Sequence, residues 1–132
     1  MSEDNLVIPR DAIAAFNRRD VPALVELTTE DFEWVTWTGT VEPTVYHGAA
    51  GLAGYFRDAD VWEVLNLEAR EFRDLGGGRV LVIGTFSARG GGSGVAIEAP
   101  YYSAFFMSRG KLARVLSFRT EEEALAAAGL GK

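Results

Sequence analysis

Hydrophobic and polar positions alternate along this chain with two successive periods, and the change of period divides it. Leu6, Pro9, Ile13 and Phe16 recur at spacings of three and four, one face of a helix. Proline lacks the amide proton that a helix interior uses and is at home only in the first turn. The pattern therefore predicts a secure helix from about Pro9 to Arg19. Asp20 reads as an N-cap, with Pro22 in the first turn of a second short helix whose inner side carries Leu24, Val25 and Thr28. From Asp31 the period falls to two. Phe32, Trp34 and Thr36 alternate with Glu33, Val35 and Trp37, as in a strand with apolar content on both faces. A polar turn from Gly39 to Pro43 and a short extended piece, Thr44 to His47, lead into a third helix, Gly48 to Arg57, with Leu52, Tyr55 and Phe56 on one side.

The second half reads as sheet. Candidate strands run Val64 to Leu75, Arg79 to Arg89, Val95 to Ser108 and Lys111 to Arg119. The turns between them, Gly76 to Gly78, Gly90 to Gly94 and Arg109-Gly110, are short and bear glycine, which makes antiparallel hairpins rather than crossovers. Thr120 and Glu123 form a capping box for a last short helix, and Gly129 is its expected stop. Strands this long must coil. Pro100, inside one of them, marks a bulge or an edge. The fold class expected is α+β: a cone-shaped curved antiparallel sheet with the N-terminal helices on its concave face and a short C-terminal helix. Neither a linker nor an internal repeat interrupts residues 1–132, so one domain is expected.

Composition narrows the function. The chain has 132 residues, 48% of them hydrophobic and 11% aromatic, enough for one folded core. A net charge of −6, without a cluster of Lys or Arg, argues against nucleic acid and against an anionic membrane surface. No apolar run approaches the length of a membrane span. The N-terminus, Met1 to Asn5, is acidic and carries no secretory signal, so the cytoplasm is the expected location. There is no cysteine, which removes disulfides, thiol catalysis and cysteine-ligated metal. His47 is the only histidine, too few for a zinc site, and nothing points to another metal or a cofactor.

Candidate chemistry is sparse. The glycine run at Gly90 to Gly94 lacks the following helix and the Lys-Ser/Thr pair of a phosphate loop, and Ser93 lacks a nucleophile elbow. His47, at a strand-to-helix junction, suits a general base, though a lone histidine there is more often a solvated polar residue. The rings Phe16, Trp34, Tyr46, Phe56, Trp62, Phe86, Tyr102 and Phe118 come from nearly every element. Such rings are usually core, but this many in a small domain suggests that some line a cleft. The carboxylates to watch are Asp31, Glu33, Glu71 and Glu98. Arg119 shares a strand face with Ser117, Val115 and Ala113. If that row faces inward, Arg119 needs a partner, either a ligand's oxygen or one of Glu71 and Glu98.

With those residues in view, the chain resembles a SnoaL-like member of the nuclear transport factor two-like superfamily, which also holds ketosteroid isomerase and limonene epoxide hydrolase. The resemblance runs from about Asp11 to Leu130. It is carried by Ala15-Phe16-Asn17-Arg18-Arg19-Asp20 with Leu24, Asp31-Phe32-Glu33-Trp34, Tyr46-His47-Gly48-Ala49-Ala50-Gly51-Leu52, Glu71-Phe72 and Gly78-Arg79-Val80. It continues through Ala99-Pro100, Gly110-Lys111, Glu122-Glu123-Ala124-Leu125 and Ala128-Gly129-Leu130. The resemblance implies a cone with an apolar interior and a homodimer formed through the outer sheet face. The places of the isomerase's catalytic tyrosine, base aspartate and protonated aspartate match Ala12, Thr36 and Tyr102, so the isomerase's base is not carried over. The hydrolase's aspartate-arginine-aspartate set has no clear counterpart.

The expectation is a protein that binds a small, mostly apolar oxygenated molecule in an internal pocket. The chemistry open to it is cofactor-free isomerisation, cyclisation, dehydration or hydrolysis. Ligand contacts are expected from Phe16, Trp34, Thr36, Tyr46, Phe56, Tyr102 and Arg119, with His47, Tyr102 and Arg119 as candidate catalytic groups. The alternative is a non-catalytic dimerisation or protein-interaction module with a filled interior.

Overall fold

The computed structural model describes residues 2–36, 44–91, 94, 96–118 and 120–127, and the side chains of all of these except 2–5 and 61. The turn expected at Gly39 to Pro43, Trp37, Ser93, Arg119 and the stop at Gly129 lie outside them. The elements are α1 (Ser2–Arg18), α2 (Val21–Leu27), β1 (Thr28–Thr36), β2 (Thr44–His47), α3 (Gly48–Asp58) and a single 3-10 turn (Ala59–Val61). They continue with β3 (Trp62–Gly76), β4 (Arg79–Gly90), β5 (Ala96–Ser108), β6 (Lys111–Phe118) and α4 (Glu121–Ala127). The six strands form one sheet in the order β2-β1-β6-β5-β4-β3.

The helices begin and end for local reasons. α1 reaches back beyond Pro9 to Ser2, one correction to the sequence expectation. Pro9 costs the helix one hydrogen bond, but its ring is fully buried. The helix closes on a Schellman-type turn. The Asp20 amide donates to the Ala15 carbonyl (2.9 Å), the Arg19 amide donates to the Phe16 carbonyl (3.0 Å), and Arg19 takes the left-handed conformation at φ 57°. The Asp20 side chain accepts from the Ala23 amide at 3.2 Å and caps α2. Leu24 is buried as expected, but Val25 is exposed. Thr28 already belongs to β1, where its hydroxyl donates to the Val25 carbonyl at 3.2 Å. Thr120 caps α4, its Oγ1 accepting from the Glu123 amide at 3.2 Å.

β3, β4, β5 and β6 pair as successive antiparallel hairpins. β1 also pairs antiparallel with β2, but it joins the sheet beside β6 in parallel. Those two strands are far apart in sequence, so no turn residue announces the pairing. The ladder shifts register three times along β3, between Trp62 and Val64, Ala69 and Glu71, and Asp74 and Gly76. It shifts again between Phe106 and Met107 in β5, and these bulges bend the sheet. Pro100 pairs opposite Thr85 without a register shift, so it is no bulge. It lies where β5 has run past its described pairing with β6, which begins at Tyr102, and its missing amide proton is spared there.

The N-terminal helices cover one face of the sheet and α4 covers part of the other. Val80 and Val82 pack under the helices, whereas Leu81 and Ile83 pack with Ala124 on the opposite side. That double cover explains the unbroken apolar run of β4. β3 is an edge strand, and α1 protects it. Asn17 donates to the Leu67 carbonyl (3.0 Å) and accepts from the Leu67 amide (2.8 Å), and the Arg19 guanidinium donates to the Trp62 carbonyl (2.6 Å).

Candidate functional site

Between the helices and the curved sheet lies a cavity of about 770 Å³, within the range that takes a small organic molecule. α1 contributes Ala12, Ile13 and Phe16. β1 contributes Thr28, Phe32, Trp34 and Thr36, and α3 contributes Leu52, Tyr55 and Asp58. α2 adds Leu24, β2 Tyr46 and the 3-10 turn Ala59, and the inward residues of the long strands supply the rest, among them Leu65, Leu67, Phe86, Tyr101, Phe105, Val115 and Ser117. The interior is therefore hollow.

The rings at one end form a packed group. Trp34 and Tyr55 lie 4.3 Å apart between centroids, Tyr46 stands edge-on to Tyr55 at 5.4 Å and 87°, and Phe16 meets Trp34 edge-on at 6.0 Å. Such contacts add about 0.5–1.5 kcal/mol each beyond burial and hold the wall in shape. α3 comes close enough to β2 to do this because of Gly51, where a Cβ would sit 2.8 Å from the Tyr46 carbonyl carbon.

The polar atoms facing the cavity are mostly hydroxyls. On the sheet side Tyr101 is grouped with Ser103 and Ser117. Ser103 Oγ donates to the Leu116 carbonyl at 3.1 Å and lies 3.3 Å from Ser117 Oγ. Burial pushes the Tyr101 phenol above its usual value, while hydrogen bonding to Ser103 and Ser117 pulls it the other way. The Tyr55 phenol is pushed up strongly, first by burial and then by the neighbouring Tyr101 and Tyr46, with Arg19 opposing. Tyr46 is raised by burial and by the charge of Asp58. All three phenols therefore act as hydrogen-bond donors at neutral pH. Among the described lining residues there is no Lys, Arg or His, and Asp58 is the single carboxylate. Nor do three or more His, Asp or Glu gather anywhere among the described residues as a metal would require.

The residues singled out from sequence divide. Phe16, Trp34, Thr36 and Tyr46 line the cavity, as do Trp62, Phe86 and Phe118. Phe56 is buried just behind the wall, 5.5 Å from Phe16 and 5.2 Å from Tyr55, because its neighbour Tyr55 takes the inward direction on α3. Tyr102 falls on the opposite sheet face, packed against Leu81, Ile83 and Ala124, and strand alternation gives the cavity position to Tyr101 instead. His47 is exposed at the N-cap of α3 without a capping bond, and it is not part of the cavity wall. Arg119 lies outside the described residues. Its expected row holds for Val115 and Ser117 but breaks at Ala113, where the β5–β6 ladder shifts.

None of the four carboxylates marked from sequence reaches the cavity. Asp31 and Glu98 are exposed, Glu33 pairs with Arg114 at 2.8 Å and Glu71 with Arg73 at 2.8 Å. The residues that sequence reading missed are Tyr55, Asp58 and Tyr101, while Ser117 was placed on the row of Arg119 without a role of its own. Tyr55 was placed on one side of its helix with Leu52 and Phe56, but without a role in a cavity. Asp58 follows it by three residues and so shares that face, a spacing visible in the sequence.

Residues 10–115 match the sequence profile of the SnoaL-like domain. No curated protein sequence matches the chain. Among solved structures, an NTF2-like protein of unknown function from Burkholderia pseudomallei is similar at 20% identity and a TM-score of 0.77, over 93% of this chain and 95% of that one. TerC, co-crystallised with polyporic acid, is similar at 23% identity and a TM-score of 0.75, over 96% and 97%. A protein with a ketosteroid isomerase-like fold from Catenulispora acidiphila, in complex with trimethylamine, is similar at 16% identity and a TM-score of 0.73, over 93% and 92%. At these identities the likeness is one of fold, and it agrees with the hollow cone described above. By its profile match over most of its length and by this architecture, the chain belongs to the SnoaL-like domain family of the NTF2-like fold.

Proposed function

We propose that this protein binds a small, mostly apolar oxygenated molecule inside the cone, held by the ring wall and by hydrogen bonds from Tyr101 and Tyr55. The observation that carries this reading is the cavity of about 770 Å³, walled by carbon with a few inward hydroxyls. An apolar body gains from leaving water there, and a carbonyl or hydroxyl on it satisfies the phenols. Structures of the same fold with polyporic acid and with trimethylamine support a small-molecule role.

The described lining offers several donors but, apart from Asp58, no proton acceptor. Binding is therefore the reading favoured here over cofactor-free isomerisation, cyclisation, dehydration or hydrolysis. The proposal includes a cytoplasmic location and a homodimer formed through the outer sheet face, and light scattering at the mass of one chain would remove the dimer.

Calorimetric titration with apolar ketones and hydroxyquinones tests the binding. Saturable binding with a rise in Tm is expected, and Tyr101→Phe is expected to weaken it roughly three- to tenfold, the worth of one hydrogen bond. Absence of saturable binding together with an unchanged Tm would overturn the proposal.

A further inference from the structure

Asp58 is the feature that an apolar, oxygen-binding cavity does not account for. It lines the cavity at the solvent-open edge, and no described residue forms a salt bridge or hydrogen bond with it. It is the last residue of α3, an eleven-residue helix. The carbonyl end of a helix carries partial negative charge, so a carboxylate there is at the unfavourable end of the dipole. Sequence neighbours do not neutralise it through a salt bridge. Arg57 is exposed on another face of the helix, and Arg19 is engaged with the Trp62 carbonyl and is not part of the cavity wall.

The same end of the cavity holds Tyr46, whose phenol feels the charge of Asp58, beside Tyr55 and Trp34. Tyr46 and Tyr55 stand at 87°, and Trp34 is tilted 48° and 40° to them, so the three rings pack against one another and each contributes to the cavity wall at this end. Such rings attract a positive charge whose shell is apolar, and a nearby carboxylate and helix C-terminus add to that attraction. The described lining offers no cation that would repel it.

We propose that the Asp58 end of the cavity is a subsite for a positively charged amine or quaternary ammonium group, so that the ligand is an apolar molecule with a cationic head. This rests on the cavity being a ligand site and names the charge of what it takes. Ring contact supplies part of the affinity, and Asp58 selects cation over anion.

The test titrates the full chain, and its Asp58→Asn variant, with benzyltrimethylammonium, its uncharged isostere neopentylbenzene, and phenylacetate. Wild type is expected to bind the cation and to prefer it to phenylacetate by at least about tenfold. Asp58→Asn, which keeps the side chain's shape, is expected to weaken the cation about tenfold while changing neopentylbenzene less than about twofold. Phenylacetate binding as tightly as the cation, or an Asp58→Asn variant with unaltered cation affinity, would overturn the subsite. Binding of neopentylbenzene alone sinks this inference and leaves the cavity reading standing. Binding of none of the three sinks both.

Discussion

Tyr55 and Tyr101 are held in the neutral form by their surroundings, and this makes them dependable donors and also a weakness at high pH. In the folded chain both phenols are raised above the ordinary value of 10.0, burial being the main cause. An unfolded chain therefore releases these protons before the folded one does. The unfolded state then binds fewer protons, so stability falls as pH rises. The associated stability is complete below about pH 10 and is lost as pH climbs through the raised folded-state values. Thermal melts at a series of pH values above nine should show Tm falling, and Tyr55→Phe should flatten part of that fall. An unaltered slope in the variant would show that the phenol is not the titrating group. Asn17 acts at the same scale. Its amide satisfies both backbone groups of Leu67 on an edge strand, so Asn17→Ala is expected to cost about 1–3 kcal/mol in urea denaturation.

At the scale of elements, the curvature that opens the cavity is built into β3 and β4. The ladder shifts between Ala69 and Glu71, and Gly84 lies opposite, so close that an added Cβ would collide with the Glu68 carbonyl oxygen. The bulge and the missing side chain go together, because backbone fills the place where a Cβ would be. Gly84→Ala is expected to destabilise by about 1–3 kcal/mol or more, read from the urea midpoint, by forcing the bulge apart. A midpoint equal to wild type would mean that the bend does not depend on this approach. α1 sets the other wall. Its Schellman turn forces Arg19 to φ 57°, and the same residue then reaches the Trp62 carbonyl at the start of β3, so one turn both ends the helix and fixes it to the sheet edge.

For the whole molecule, what matters is that the space between the layers stays open. Side chains of nine elements, together with the turn after α3, surround it, and the wall includes residues as small as Ala12, Ala59 and Ala99. Filling it should separate stability from binding. Ala12→Leu adds carbon where there is room, so Tm is expected to hold or rise while ligand affinity drops at least about tenfold. A large loss of stability would show that the site around Ala12 is already packed. A ligand bound at a hundred times its Kd should stabilise the wild type by about 2.7 kcal/mol and the filled variant by much less, which differential scanning calorimetry reads directly.

The one-dimensional pattern determined the elements, because helix caps, period and hairpin turns act over a few residues. Asp20, Thr120 and the glycine turns placed their boundaries to within a few positions, and Phe16, Trp34, Thr36 and Tyr46 were assigned to the cavity from periodicity and resemblance. Pro9 was misread because propensity alone could not include the burial that lets it sit inside α1. The parallel pairing of β1 with β6 has no local signal. Nor does the inward choice of Tyr101 over Tyr102, which depends on the register that β4 and β6 impose on β5 and on the sheet face the helices cover. Helical spacing already puts Tyr55 and Asp58 on one face of α3, but only tertiary packing sets that face and Tyr46 around the same hollow as Tyr101 and Ser117, because side chains from different elements become a site only when a bent sheet and the helices above it fix their relative positions.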